Sequence, residues 1–367
     1  MTASATVAVV GIGVMGGSLG LALRHRAGVD RVIGFDPDPD VRRRALERGV
    51  VSESADSLPE AVAEAGVVFV AAPVSATARV AREAMEASGP DCLVTDVASS
   101  KAGILAALSA EERKRFIGGH PICGSERGGV EHARDGMFEG ATYFLTPSEE
   151  TRPDLYERLH QLIARIGARP SAIDADAHDR ILALVSHLPH VIASALIEQA
   201  ASTTPGGREA LRSAGPSFSD LTRVAGANPP LWADILTANA DAVADAIDDQ
   251  ARRLSDVSAL VRRGDHSAIE AFFQRAADER SHLGEVPDAL AEPYRVVIAL
   301  SNRPGAISQV ATALGHAHVN IEDLQLRSGV GEQEGELSLI VSGTEARDTA
   351  LGCVRGLGFG VHAEALE

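Results

Sequence analysis

The run Val7-Ala8-Val9-Val10 leads directly into Gly11-Ile12-Gly13-Val14-Met15-Gly16, and this junction restricts the fold more than any other segment. G-x-G-x-x-G has a physical meaning when it follows a strand and opens a helix, and here a helical stretch begins near Ser18. Gly11 permits the tight turn, Gly13 lets the backbone approach a pyrophosphate, and Gly16 lets the helix pack on the sheet. The helix N-terminus then faces the phosphate charge. A second strand ends in Gly34-Phe35-Asp36. A carboxylate at Asp36 hydrogen-bonds a ribose 2′-hydroxyl and repels a 2′-phosphate, so the expected cofactor is NAD rather than NADP.

The pattern continues downstream. Short β-branched runs at 6–10, 31–35, 67–72, 92–97, 115–118 and 142–146 alternate with helical stretches such as Leu19–Arg26, Thr77–Ala87 and Leu155–Ile166. That alternation predicts an α/β Rossmann domain over 1–173, a doubly wound, mostly parallel sheet. From Asp174 the apolar period becomes helical over 176–200, 205–225 and 230–282. Ile181, Leu182, Val185, Leu188 and Ile192 are expected on one helical face. An all-α domain is therefore expected over 174–285, followed by a linker at 286–293. Over 294–367 the order strand (Tyr294–Leu300), helix (Ala306–His316), strand (Val319–Arg327), strand (Glu336–Val341), helix (Glu345–Leu357), strand (Val361–Ala365) is βαββαβ, the ferredoxin-like arrangement. The acidic stretch Asp241–Asp249 reads as a solvated helix face.

Charge and cysteine content bound the partners. A net charge of −17 argues against nucleic acid and anionic membrane surfaces, and requires a locally basic pocket for any anionic substrate. Cys92, Cys123 and Cys353 form neither a CxxC nor a metal-ligand spacing, which fits a reducing, cytoplasmic setting. No signal peptide is read at the N-terminus, and no apolar run is read as approaching a membrane span.

The chemistry-bearing residues fall in four segments. Gly118-Gly119-His120-Pro121-Ile122-Cys123-Gly124-Ser125-Glu126 follows the strand-like Phe116-Ile117 and holds an imidazole and a carboxylate six residues apart. A hydride acceptor works beside a group that takes the matching proton, and His120 is the candidate base, although a histidine in a glycine loop can also be structural. Thr95-Asp96-Val97-Ala98-Ser99-Ser100-Lys101 lies at the carboxyl end of a strand, the edge where open α/β sheets bind ligands. There Ser99 can bridge cofactor and His120, while Lys101 suits a helix start or a charge pair. His178-Asp179 and Ser186-His187-Leu188-Pro189-His190 place several polar groups on one helix, which Pro189 is expected to bend. Three nearby histidines leave a metal open, but the spacing is not H-E-x-x-H and no metal is expected. In Ser219-Asp220-Leu221-Thr222-Arg223 the arginine needs an anion, either Asp220 or a substrate carboxylate.

Taken together, GxGxxG, GGHPICGSE, VSHLPH and DLTRVA, in this order, resemble the prephenate dehydrogenase family, and the last 75 residues resemble an ACT module. The resemblance implies oxidative decarboxylation of prephenate to 4-hydroxyphenylpyruvate with reduction of NAD, in tyrosine biosynthesis; arogenate is the alternative substrate. It implies that His120 takes the proton of the ring hydroxyl and that Ser99 orients His120. Glu126 would gate the pocket, with His178, Asp179, Ser186, His187 and His190 lining it. Arg223 would hold the departing carboxylate. Gly11, Ile12, Gly13, Met15, Gly16, Asp36 and Pro73 would contact NAD. A homodimer through the helical domain is implied, with tyrosine as an effector at Asn302, Pro304, Gly305, Ala306, Asn320 and Ile321. Cys123 stands at a small-residue position close to His120, so thiol reagents are expected to inhibit.

Overall fold

A computed structural model describes residues 6–125, 127–202, 209–281, 293–300, 305–327 and 335–366. It divides into two compact units, one formed by the described parts of Met1–Asp179, Pro230–Ala238 and Ala291–Glu367, the other by those of Arg180–Pro229 and Asn239–Leu290.

The first unit is built on an eight-stranded sheet. Its strands are β1 (Val7–Val10), β2 (Val32–Phe35), β3 (Glu53–Ser54), β4 (Val67–Val70), β5 (Leu93–Asp96), β6 (Phe116–Pro121), β7 (Thr142–Thr146) and β8 (Arg169–Ala172). They lie in the order β3-β2-β1-β4-β5-β6-β7-β8, parallel at every pairing except β6 with β7. Alternate residues feed two cores. Val7, Val9, Val67 and Phe69 face helices Val14–His25 and Pro153–Arg165, while Ala8, Val10, Val68 and Val70 face helix Val74–Ala87. Burial on both faces explains the continuous β-branched runs. The strand order reverses between β1 and β4, the position where such sheets bind ligands at their carboxyl edge.

Two strands are additions to the expected set. β3 is two residues long and pairs only with Ile33 and Gly34. β8 contains Pro170, which reads as a turn and is tolerated because β8 is an edge strand. That edge is covered. Gly315, in helix Ala306–His316, passes so close to β8 that a Cβ on it would lie 1.7 Å from the Ala172 carbonyl oxygen.

Helix Ala306–His316 belongs to the C-terminal part of this unit, which has strands β9 (Pro293–Leu300), β10 (Asp323–Arg327), β11 (Gly335–Ser342) and β12 (Gly360–Ala365), with a second helix at Thr344–Gly356. The sheet is antiparallel in the order β10-β11-β9-β12, and the chain order is βαββαβ. β10 begins later than expected. His318 adopts a φ of 56° and Val319 and Ile321 turn into the core, so pairing starts only where the Glu322 amide donates to Ile340.

The second unit is helical, with the remainder of helix Ala175–Ser202, Glu209–Arg212, Pro216–Thr222, Ala240–Arg263 and His266–Ser281. Two expectations fail on its first helix. Ala175–Ser202 is long and apolar enough to cross a membrane by length and composition, whereas no run of that kind was expected. The single apolar face also splits: Leu182 and Leu188 are buried, but Ile181 and Val185 are exposed. Residues Ala183–His187 form a π-helical turn, which adds a residue to the turn and rotates the helix beyond it. The Leu188 amide bonds Ala183 across that turn, just before Pro189.

Candidate active site

At the end of β1 the backbone makes the turn that the glycine spacing calls for. Gly11 has a φ of 91°, and a Cβ on Gly16 would stand 1.9 Å from the Gly11 carbonyl oxygen, so neither position accepts a side chain. Beside Gly13 the space is open. Asp36 closes the turn from β2. One carboxylate oxygen accepts the Ile12 amide at 2.9 Å and the other the Asp38 amide at 3.0 Å. A fixed negative charge thus stands beside the turn, as recognition of ribose hydroxyls requires. Arg42 donates to the Asp36 carbonyl at 2.8 Å and to Asp56 at 3.1 Å. Pro73 precedes helix Val74–Ala87, at the carboxyl end of β4. The residues expected to hold NAD therefore fit a dinucleotide.

His120 sits at the carboxyl end of β6, half-buried, paired across the sheet with Phe144 of β7. Its Nδ1 lies 2.8 Å from Nε2 of His178, a fully buried residue. Nδ1 of His178 lies 2.7 Å from Oδ1 of Asp179. Asp179 in turn accepts two backbone amides, Lys101 at 2.8 Å and Ala102 at 2.9 Å. The His178 ring is gripped edge-on by His120 and Phe144, with centroids 5.1 and 5.6 Å away.

Beneath the two rings lies an ion pair. The Lys101 ammonium bonds Asp96 and the Gly119 carbonyl, the latter at 2.8 Å, and both side chains are essentially inaccessible. Burial pulls the Lys101 ammonium downward more than Asp96 holds it up. Asp96 also accepts the amides of Ala98 at 2.9 Å and Gly119 at 3.0 Å, which ties β5 to β6 one residue before His120. Lys101 thus serves the helix start and charge pair suited to it. Ser99 is half-buried after β5, and among the described residues its hydroxyl makes no hydrogen bond; the His120 ring contacts His178.

Four other candidates lie in the helical unit. His187 is buried, and its Nδ1 accepts from Asn239 at 3.3 Å. His190 Nδ1 donates to the Ser186 carbonyl at 2.9 Å, one helical turn back. Arg223 is exposed at the start of the turn Arg223–Gly226, directly after helix Pro216–Thr222.

Glu126, Asn302 and Pro304 lie outside the described residues. Gly305 caps helix Ala306–His316 with a φ of 83° and packs on Glu149, while Asn320 and Ile321 precede β10 rather than begin it. Partial burial pushes the Cys123 thiol up to about 11, which favours the protonated thiol near neutral pH. Sequence reasoning missed the direct contact between His120 and His178, and it missed Asp96 and Asn239. The signal for Asp96 was an acid placed at the end of a strand that must be buried on both faces.

Comparison with known proteins agrees with this architecture. Residues 19–171 match the family model "Prephenate dehydrogenase, nucleotide-binding domain", and residues 174–275 match "Prephenate dehydrogenase, dimerization domain". A prephenate dehydrogenase of Bacillus subtilis is 30% identical over 95% of this chain and 95% of its own length. The prephenate dehydrogenase of Aquifex aeolicus, solved with hydroxyphenyl propionate and NAD+, superposes with a TM-score of 0.72 at 28% identity, covering 76% of this chain and 98% of that one. An arogenate dehydrogenase of Synechocystis gives a TM-score of 0.67 at 28% identity, over 75% and 99% of the two chains.

Proposed function

The chain belongs to the prephenate dehydrogenase family and is an NAD-dependent oxidoreductase, and from that premise we propose that it oxidatively decarboxylates prephenate to 4-hydroxyphenylpyruvate and carbon dioxide, on the route to tyrosine. What carries this assignment is the position of His120. It stands at the carboxyl edge of the same parallel sheet that presents the glycine turn, with one ring nitrogen already engaged by His178. A base at that edge is what the loss of a hydroxyl proton needs.

Gly11, Ile12, Gly13, Met15, Gly16, Asp36 and Pro73 would hold NAD, which when bound supplies the hydride acceptor. The chain's own residues do the rest. His120 takes the proton of the ring 4-hydroxyl at Nε2. The ketone formed at that carbon draws electrons from the bond to the ring carboxylate, and aromatisation drives its loss as carbon dioxide. Arg223 is assigned the substrate carboxylate because a guanidinium matches its geometry bidentately. Ser186, His187 and His190 are assigned to the substrate with it.

Prephenate and arogenate differ in a keto or amino group on one side-chain carbon. The Synechocystis relative supports arogenate as the second reading. NADH formation with each substrate, and with NAD or NADP, decides between them. Turnover of arogenate alone would replace the first reading by the second, and turnover of neither would refute both.

The match to a dimerisation domain supports a homodimer, and the unpaired spacing of the cysteines supports a cytoplasmic setting for it. Exposed Leu184, Val185, Leu254, Val261 and Phe273 of the helical unit supply apolar surface for the dimer. The C-terminal βαββαβ part is assigned as an ACT module that senses tyrosine. Calorimetry of tyrosine with the full chain tests this, together with Asn320→Ala, which should relieve inhibition and leave uninhibited turnover unchanged.

A further inference from the structure

We propose that Asp179 and His178 form a tautomer relay, two positioning residues that fix the proton of His120 on Nδ1 and so make Nε2 the base. The assignment rests on the proposed role of His120. A neutral imidazole carries one N–H, and which nitrogen bears it follows from the hydrogen bonds the ring makes. The relay has a defined starting point. The Asp179 carboxylate accepts on both oxygens, from the Lys101 amide on one and the Ala102 amide on the other, and a carboxylate has no proton to give. The 2.7 Å contact to His178 Nδ1 must therefore be a donation from His178, which puts that ring's proton on Nδ1 and the lone pair on Nε2. With His178 neutral, its Nε2 holds a lone pair, and the 2.8 Å contact to His120 Nδ1 is a donation from His120. His120 is left with its lone pair on Nε2. One carboxylate thus sets the tautomer of a ring it does not touch, through a second ring that is completely buried.

The same chain of bonds serves the charged state. When His120 takes a proton at Nε2, its Nδ1–H remains bonded to His178. Asp179 stands behind as the counter-charge, in surroundings where burial strengthens electrostatics. No proton leaves through His178. His178 differs in this from a wall of the substrate pocket, the role first expected of it. Phe144 and the clamp of Lys101 and Asp96 on Gly119 hold the two rings in register.

The test uses the full-length protein and two readouts. The first needs no substrate. In histidine-labelled wild-type enzyme at neutral pH, the ¹⁵N shifts of His120 should show a protonated Nδ1 and an unprotonated Nε2. The second is kinetic. His178→Phe keeps a ring beside Phe144 but cannot accept the Nδ1 proton, and it should lower turnover of prephenate by roughly 10²-fold, within the range for a positioned base. His178→Gln has a carbonyl that can accept that proton, and should recover part of the loss. NADH affinity, read by fluorescence, should be unchanged in both. A wild-type His120 protonated on Nε2 would overturn the relay, as would His178→Phe enzyme that is folded and turns over normally. Failure of wild-type enzyme to oxidise prephenate would instead refute the function, while the ¹⁵N result still reports on the relay.

Discussion

The Lys101 ammonium donates to the carbonyl oxygen of Gly119 at 2.8 Å, and its ion-pair partner Asp96 accepts the amide of the same residue at 3.0 Å. Both ends of one buried ion pair thus hold the residue that precedes His120. Removing one partner of a buried pair leaves the other charge uncompensated, at a cost of about 3–5 kcal/mol. Lys101→Met should therefore lower unfolding stability by about that amount, and adding Asp96→Asn should recover part of it. Urea unfolding of the two variants measures both effects. Equal stability of Lys101→Met and wild type would show that the pair is dispensable.

A second buried group sets an acid response. His160 and Tyr156 lie buried on helix Pro153–Arg165, and among the described residues the Tyr156 hydroxyl has no hydrogen-bond partner. Burial pushes the His160 imidazole down to about 4. The unfolded chain binds a proton near pH 6.5 and the folded chain does not, so stability is complete above about 6.5 and falls as pH drops toward 4. The loss across that window is at most about 3 kcal/mol. His160→Leu removes the titration. Its melting temperature should change less between pH 7 and pH 5 than that of wild type. An unchanged pH response would assign the effect to other groups.

Cofactor choice turns on Asp36. Replacing it by Ala removes the acceptor for the Ile12 amide and the charge that repels a 2′-phosphate, while Arg42 remains nearby. NADH binding should weaken by about 1.5–3 kcal/mol, the value of hydrogen bonds to a charged group, and NADPH binding should strengthen. Fluorescence titration of the two cofactors reads this directly. Parallel weakening of both would mean that Asp36 only supports the turn.

Cys123 is predicted to be inert. With its thiol pushed up to about 11, only about one part in 10⁴ is thiolate at neutral pH. Cys123→Ala should keep wild-type turnover, and iodoacetamide should inactivate the two proteins equally slowly. Selective protection of the Ala variant would restore the expectation drawn from sequence.

Much of this fold is written locally. The β-branched runs of β1, β2, β4 and β5 are buried on both sheet faces, so their composition announces them, and the Gly11–Gly16 turn needs only its own spacing. β8 was hidden because its Pro170 reads as a turn and only its edge position makes a strand possible. Val185 misled because it lies within the π-turn at Ala183–His187, and periodicity assumes a constant turn. In the site, His120 was legible from its loop, but its partner His178 comes from a helix far along the chain, and no spacing encodes that meeting.

The central claim is that His120 is the base of an NAD-dependent oxidation of prephenate. NADH absorbance in steady state, with prephenate and NAD, compares wild type with His120→Asn most directly. Turnover should fall by roughly 10²–10⁴ while NADH affinity stays the same. Turnover of the Asn variant near the wild-type value would mean that the proton leaves by another group.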